Sequence, residues 1–123
     1  MHRRIKLGEQ SFLQMPRIVD NDEKISYSAK YLYMKFFDRI KVSEKNGWID
    51  KELGIYIYYT IESIKEDLGI GEQKALKLKR ELLNRGLIEE VRQGLNKPNK
   101  IYLINLDDVY SDEERKKYMA KDE

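Results

Sequence analysis

The sequence predicts a mainly helical α+β fold of the winged helix-turn-helix class. Three consecutive features of the 123-residue chain carry this prediction, and they occupy residues 59–102. They are a short amphipathic helix, a second helix rich in lysine after a tight turn, and a β-hairpin with a basic tip. In folds of this class the second of the two helices enters the major groove of DNA.

The first helix of this stretch is predicted to begin after Thr60. Ile61, Ile64 and Leu68 recur at helical spacing and give the segment one apolar face. Thr60 can act as N-cap by offering its hydroxyl oxygen to a free backbone amide. Gly69 fits the left-handed position that closes a helix. These signals predict a short helix that ends in a glycine turn.

The second helix is predicted to begin after Gly71, since glycine is accepted at the N-cap position. Ala75, Leu78 and Leu82 lie on one face, which predicts the side that packs on the core. Residues 72–85 contain two glutamates against five basic residues, which are Lys74, Lys77, Lys79, Arg80 and Arg85. Taken alone, this pattern is equally typical of a solvated surface helix, because lysine-rich faces usually lie in water.

The hairpin after Gly86 favours a groove-binding interpretation of that helix. Residues 89–92 and 100–104 have the composition of two strands. The connection, residues 93–99, contains the glycine, asparagine and proline of a turn. From residue 91 to residue 100 there are three basic residues and no acidic one. A basic tip beside a basic helix suits a wing along the phosphate backbone, with an ordinary charged hairpin as the alternative.

Composition limits the other function classes. The net charge is only +2, so any case for nucleic acid rests on where the charge lies. The chain has no cysteine, and its one histidine is His2, so we expect no disulfide, thiol nucleophile or metal site. No apolar run reaches membrane-spanning length, and no signal-peptide pattern opens the chain. We therefore expect a cytoplasmic protein without a cofactor.

The N-terminal part is predicted to form a flexible basic arm, an extended segment and the main core helix. The arm is residues 1–10, and the extended segment, residues 11–15, stops at Pro16. Ser26 or Ser28 can cap the helix that follows. Its apolar residues match a one-face template, and they are Ala29, Leu32, Tyr33, Phe36, Phe37 and Ile40.

The same helix carries a second apolar patch. Tyr31 and Met34 lie outside the core stripe, and Tyr27 is in line with both. Such a patch is a candidate dimer interface. An N-terminal segment folded over the patch would explain it equally well.

The remaining elements are two strands and a charged C-terminal segment. Strands are predicted at residues 48–49 and 54–59, and in a winged helix the second pairs with the return strand of the wing. Residues 107–123 are predicted to be a charged tail or a linker helix to an absent C-terminal domain. Ser111 and Glu114 have capping-box spacing at its start. We expect too few apolar residues there to make a core.

Several short motifs match those of a known family. They are Phe12-Leu-Gln-Met-Pro-Arg17, Ser28-Ala-Lys-Tyr-Leu-Tyr33 with Asp38-Arg39, Lys45-Asn-Gly-Trp-Ile-Asp50, Gln73-Lys-Ala75, Gly86-Leu-Ile-Glu89 and, most specifically, Arg92-Gln-Gly-Leu-Asn-Lys-Pro-Asn-Lys-Ile-Tyr102. Over roughly residues 11–105 the chain resembles the N-terminal domain of the RepA_N replication initiators of Gram-positive plasmids. One departure is Asn96, where the family pattern leads us to expect glycine; asparagine still tolerates a turn.

The resemblance implies a winged-helix domain, residues 11–106, that binds repeated double-stranded DNA sequences at a plasmid replication origin. That origin typically lies within the initiator's own coding region. The resemblance also implies a longer full-length protein, whose C-terminal domain, similar to replication-restart proteins, recruits host replication proteins. Family members are expected to act as homodimers or higher assemblies on DNA.

On this hypothesis the DNA contacts divide between helix and wing. Gln73, Lys74 and Lys77 would face base edges in the major groove. Arg80 would contact nearby phosphates, and the amide end of the helix at Thr60 could take another phosphate. The wing residues expected on the backbone or minor groove are Arg92, Gln93, Lys97, Asn99 and Lys100.

Three alternatives stay open at the level of sequence. A winged-helix transcription repressor of phage or plasmid origin needs the same groove-reading surface, so pattern does not separate it. A protein-assembly module predicts an apolar recognition face, and the lysines argue against it, although an exposed Leu76 could contact a thymine methyl group or a protein. An enzyme is disfavoured because the carboxylates are scattered and no nucleophile, base or phosphate-binding glycine loop is recognisable.

Overall fold

A computed structural model of the chain describes Arg4 and residues 12–120, so the predicted basic arm lies outside the described residues apart from the exposed Arg4. The elements in chain order are α1 (Arg17–Asp20), α2 (Tyr27–Asn46), β1 (Ile49–Asp50), β2 (Gly54–Tyr58), α3 (Ile61–Leu68), α4 (Glu72–Arg85), β3 (Ile88–Val91), β4 (Lys100–Leu103), α5 (Leu106–Val109) and α6 (Asp112–Ala120). None of the helices in this part of the chain combines the length and apolar character that crossing a bilayer requires.

The four strands form one antiparallel sheet in the order β1-β2-β4-β3. The hairpin of β3 and β4 is the wing, and Val91 lies opposite Lys100 at the end that carries the connecting turn. Strand β2 pairs with β4, with Tyr58 opposite Lys100. This sheet and the order of the helices along the chain confirm the predicted α+β winged helix-turn-helix class. The predicted pairing of β2 with the return strand of the wing is also confirmed.

The two helices of the helix-turn-helix begin and end at the predicted residues. The Thr60 hydroxyl oxygen accepts a hydrogen bond from the Ser63 amide at 3.1 Å, which satisfies one free donor of α3. Gly69 (φ 65°) and Gly86 (φ 83°) end α3 and α4 in the left-handed conformation. Gly71 begins α4 without a side-chain cap. The turn between the helices is therefore set by local backbone chemistry.

The core lies between the helices and the inner face of the sheet. Ser26, rather than Ser28, caps α2, and Phe36 of that helix packs edge-on against Tyr59 with ring centroids 4.8 Å apart. The Tyr59 hydroxyl donates to the Asp67 carboxylate, which joins the end of β2 to α3. The large side chains with less than 2% exposure are Val19, Leu32, Tyr33, Phe36, Ile57, Ile64, Leu82, Leu87, Ile88 and Ile101.

The C-terminal segment, expected to have too few apolar residues to make a core, contributes two buried side chains to the main core. Tyr110 and Tyr118 are each 2% exposed, and their rings pack edge to face with centroids 6.0 Å apart. The Asn21 side chain donates to the Tyr118 carbonyl at 2.7 Å, which joins α6 to the end of α1. The two tyrosines supply the apolar area that a count of aliphatic residues misses, because each ring is large.

A charged network joins α6 to the C-terminal end of α4. The Arg85 guanidinium donates to Asp22 at 2.7 Å and to Glu114 at 2.6 Å, and the Tyr110 hydroxyl donates to Asp22 at 2.9 Å. Hydrogen bonds from the Ser111 amide and from Arg85 hold the pKa of Glu114 at about 2. Burial and the bond to Asp22 raise the pKa of Tyr110. We call these residues, Asp22, Arg85, Tyr110 and Glu114, the Arg85 clasp.

Candidate nucleic-acid interface

Helix α4 buries one side and presents the opposite side to solvent. Ala75, Leu78 and Leu82 are at most 2% exposed. At 3.6 residues per turn, the residues opposite this stripe form one continuous face. We call it the outward face, and it consists of Gln73, Leu76, Lys77, Arg80 and Asn84, all of them exposed.

The five basic residues of α4 have different roles. Lys79 forms an ion pair with Glu90 of β3 at 2.8 Å, and Arg85 is bound in the clasp. These two cations hold the helix to the rest of the fold. The others are exposed and form no ion pair with any described residue, and they are Lys74, Lys77 and Arg80.

Lys74 is set to one side of the outward face. It lies on the flank of α4 toward α2, where it lines a surface cleft of about 470 Å³ together with Tyr27 and Tyr31. Further along this flank Glu81 accepts hydrogen bonds from the Ser26 amide at 3.0 Å and the Ser26 hydroxyl at 2.9 Å. The fold thus brings Gln73, Lys77 and Arg80 together and points Lys74 partly toward α2.

The tip of the wing is a turn that its own side chains hold in place. The Gln93 side-chain amide donates to the Pro98 carbonyl at 2.7 Å and to the Tyr58 hydroxyl of β2 at 3.5 Å, so Gln93 holds the turn and joins it to β2. Asn96 adopts a left-handed φ of 62°, a conformation that asparagine tolerates and glycine adopts freely. Arg92 and Lys97 flank this tip; both are exposed and form no ion pair within residues 12–120.

Thr60 and Asn99 meet in a small cleft between the wing and the first turn of α3. The cleft has a volume of about 250 Å³, and its charged lining consists of Lys97 and the ion pair of Lys79 with Glu90. The amides at the start of α3 lie at this same place, and such amides attract anions. Two of the predicted contacts, Thr60 and Asn99, are therefore neighbours of the wing cation Lys97.

Lys100 lies on the sheet face opposite α4, near one other predicted contact, because the Gln93 side chain donates to the hydroxyl of Tyr58, the cross-strand partner of Lys100, at 3.5 Å. Successive residues of a strand alternate between faces, and Glu90 points toward α4 whereas Val91, its neighbour, shares a face with Lys100. The Lys100 ammonium lies over the ring of Tyr56 at 4.4 Å from the centroid. Lys100 thus belongs to an aromatic cluster on the sheet face that points away from α4, with Trp48, Tyr56, Tyr58 and Tyr102.

The second apolar patch of α2 faces solvent in the described part of the chain. Tyr27 is 88% exposed and Tyr31 40% exposed, while Met34 beside them is half-buried. Lys30 and Lys35 lie over the rings of Tyr27 and Tyr31 at 5.3 Å and 5.4 Å. The alternative, an N-terminal segment folded over the patch, falls outside the described residues as far as residue 11, apart from Arg4.

Two residues of this surface escaped the sequence-based site prediction. Asn84 lies on the outward face, four residues after Arg80 and seven after Lys77, and that helical spacing could have revealed it. Leu95 is 91% exposed at the wing tip. Gly94 and Asn96, the turn residues on either side of Leu95, could have indicated that this leucine lies at the exposed tip of the wing.

Comparisons with known proteins agree with this architecture. The family model described as the replication initiator protein A (RepA) N-terminus matches residues 11–116. A 41 kDa protein of Lactobacillus helveticus is 32% identical over 108 residues, which are 80% of this chain and 31% of that protein. The chain therefore spans about a third of the length of this relative.

Three solved structures are similar over nearly the whole chain. One, described as the N-terminal domain of a DNA binding protein, has a TM-score of 0.76 and 29% identity, covering 99% of this chain and 96% of that one. A Rep-DNA complex has a TM-score of 0.76 and 30% identity, covering 98% and 95%. An MDR initiator has a TM-score of 0.73 and 27% identity, covering 98% and 99%. The chain belongs to the RepA N-terminal family of replication initiators.

Proposed function

We propose that this chain is the DNA-binding domain of a plasmid replication initiator and binds repeated origin sequences in double-stranded DNA through α4 and the wing. The observation that carries the proposal is the division of the cations. Lys79 and Arg85 form ion pairs that stabilise the fold. Four other cations are exposed and form no ion pair within the described residues, and they are Lys77, Arg80, Arg92 and Lys97. A Rep-DNA complex among the similar structures supports the same role.

The outward face of α4 would enter the major groove. Gln73 is exposed and its amide has no hydrogen-bond partner among the described residues, so it is available to read an adenine edge. Lys77 would reach a guanine edge, and Arg80 would contact a phosphate. Lys74, at the side of the helix, would approach the groove wall from the flank toward α2.

The wing would bind the duplex next to the major groove that α4 enters. Arg92, Lys97 and Asn99 would contact the backbone or minor groove, and Gln93 would stabilise the turn that presents them. The first amides of α3 after Thr60 would bind a further phosphate, since they line the same cleft as Asn99.

The initiator would act as a homodimer and would bind host proteins through a further domain. Tyr27, Tyr31 and Met34 would form the contact of a homodimer, because two exposed tyrosines beside a methionine suit a subunit interface. Host replication proteins would bind a C-terminal domain of a longer protein, which is consistent with the length of the curated relative. The initiator would act in the cytoplasm.

Two substitutions are expected to affect binding in different ways. Lys97→Ala should weaken binding to all duplexes alike and lower the slope of log affinity against log salt by about 0.9, because one phosphate contact is lost. Gln73→Ala should instead reduce discrimination between the specific and a scrambled duplex by about 5- to 150-fold, the range for one bidentate base contact. Fluorescence anisotropy with labelled duplexes at several salt concentrations measures both effects.

The matched controls are an exposed lysine and an exposed glutamine outside this surface. Lys51→Ala, in the turn between β1 and β2, and Gln14→Ala, before α1, should leave affinity and discrimination unchanged. Unchanged binding of both the Lys97 and the Gln73 variants would contradict the proposed docking.

A further inference from the structure

Leu76 is the one apolar side chain among the described residues of the outward face of α4. It is 38% exposed and does not belong to the core cluster or to the side chains that pack against it. Exposed leucines are common on protein surfaces and normally need no explanation. This one differs in its position, because its neighbours on the helix surface are all polar: Glu72 and Gln73 lie one turn before it, and Lys79 and Arg80 lie one turn after it.

The geometry of the helix places Leu76 between Gln73 and Arg80. With a rise of 1.5 Å per residue, it lies about 4.5 Å along the axis from Gln73 and about 6 Å from Arg80. Any docking that brings Gln73 to a base edge and Arg80 to a phosphate also brings Leu76 to the groove. The leucine side chain must then meet the part of the groove that lies between those contacts.

The major groove offers one apolar group to such a side chain. Guanine, cytosine and adenine present hydrogen-bond donors and acceptors there, whereas thymine adds a C5-methyl group. We propose that Leu76 packs against the methyl group of a thymine and makes the recognised sequence specific for thymine at that position. This inference rests on the proposed function, since it requires α4 to lie in the major groove.

A protein partner is the less favoured occupant of this position. A stable protein interface buries on the order of 1,000 Å² with a cluster of apolar residues at its centre. Leu76 has no apolar companion on the outward face, and the unpaired cations Lys77 and Arg80 adjoin it. A DNA duplex carries negative phosphates and, at each thymine, one small methyl group. It therefore fits the cations and the single leucine of this face better than an apolar protein surface does.

The test replaces each thymine of the bound duplex in turn by deoxyuridine, which removes the methyl group and keeps the base pair. The probe is the tightest-binding segment among duplexes tiled across the DNA that encodes the protein. For the wild-type protein, one such replacement in each repeat should lower the affinity about fourfold, the value of one buried methyl group. Leu76→Ala should bind the thymine duplex more weakly by a similar factor and should be insensitive to that replacement.

Two further variants separate the role of Leu76 from a general loss of structure. Leu76→Met, which keeps an apolar side chain, should remain sensitive to deoxyuridine. Leu53→Ala removes an exposed leucine from the turn between β1 and β2, outside the proposed DNA-binding surface, and should keep the full wild-type sensitivity. Thermal unfolding of each variant confirms that it is folded.

The outcomes of this inference and of the proposed function can be told apart. Sequence-specific binding that no deoxyuridine replacement weakens would overturn the role of Leu76 and leave the proposed function standing. Equal sensitivity of the wild type and Leu76→Ala at the same thymine would also overturn it. Absence of any sequence-specific binding by the wild type would overturn both.

Discussion

Replacement of Arg85 by alanine is expected to lower the free energy of unfolding by about 3–5 kcal/mol, because it leaves a buried carboxylate without its ionic partner. Asp22 has no solvent exposure, and its remaining partners are the Tyr110 hydroxyl and the Lys24 backbone amide. Neither carries a charge that offsets the carboxylate. The substitution also removes the ion pair with Glu114 that ties α6 to the end of α4.

Urea denaturation followed by circular dichroism measures this change. Lys24→Ala is the control, since Lys24 lies 3.4 Å from Glu114 in a pair whose lysine side chain is 63% exposed. Such surface pairs contribute at most about 1 kcal/mol. An Arg85→Ala variant as stable as the Lys24→Ala variant would show that the clasp does not stabilise the fold.

Reversal of two charges on α4 should abolish tight DNA binding. Lys77→Glu with Arg80→Glu should lower the affinity more than about a hundredfold at 0.1 M salt, because the phosphate contact of Arg80 contributes about tenfold there and the base contact of Lys77 about 5- to 150-fold. The new carboxylates would also repel the phosphates. Both residues are exposed and unpaired within the described part of the chain, so the free energy of unfolding should change little. Anisotropy and urea denaturation on the same protein give the two values.

A matched double reversal tests whether position or total charge matters. Lys51→Glu with Lys116→Glu also takes the formal net charge from +2 to −2 and changes two exposed lysines outside the helix-turn-helix and wing. It should keep most of the binding, with a modest general loss from long-range repulsion. Equal losses in the two double variants would mean that binding follows net charge rather than the outward face.

The helix-turn-helix was predictable because its signals are local. Thr60, Gly69 and Gly86 act on the backbone of their own helix ends, and each occupies the predicted position. The wing was predictable for a similar reason, since turn residues between two short strands fix a hairpin. The apolar periodicity of α2 and α4 then indicated which sides face the core.

The roles of the individual cations were not predictable, because they depend on contacts between distant segments. Lys77 and Lys79 look alike in the sequence, yet only Lys79 meets a carboxylate, 11 residues further along the chain. Arg85 finds Asp22 across 63 residues. Lys100 lies on the sheet face away from α4, and that placement follows from strand register, which composition does not give. The buried Tyr110 and Tyr118 similarly lie in a stretch that reads as a charged tail.

The most direct test of origin binding is fluorescence anisotropy with labelled duplexes tiled across the protein's coding DNA and its upstream region, together with a scrambled control, at several salt concentrations. The proposed function predicts tight binding to one segment that contains repeats, with a clear margin over the scrambled duplex that persists as salt rises. Weak binding that ignores sequence and falls steeply with salt would contradict it, since that behaviour reflects phosphate contact alone. No binding even at low salt would contradict DNA binding altogether.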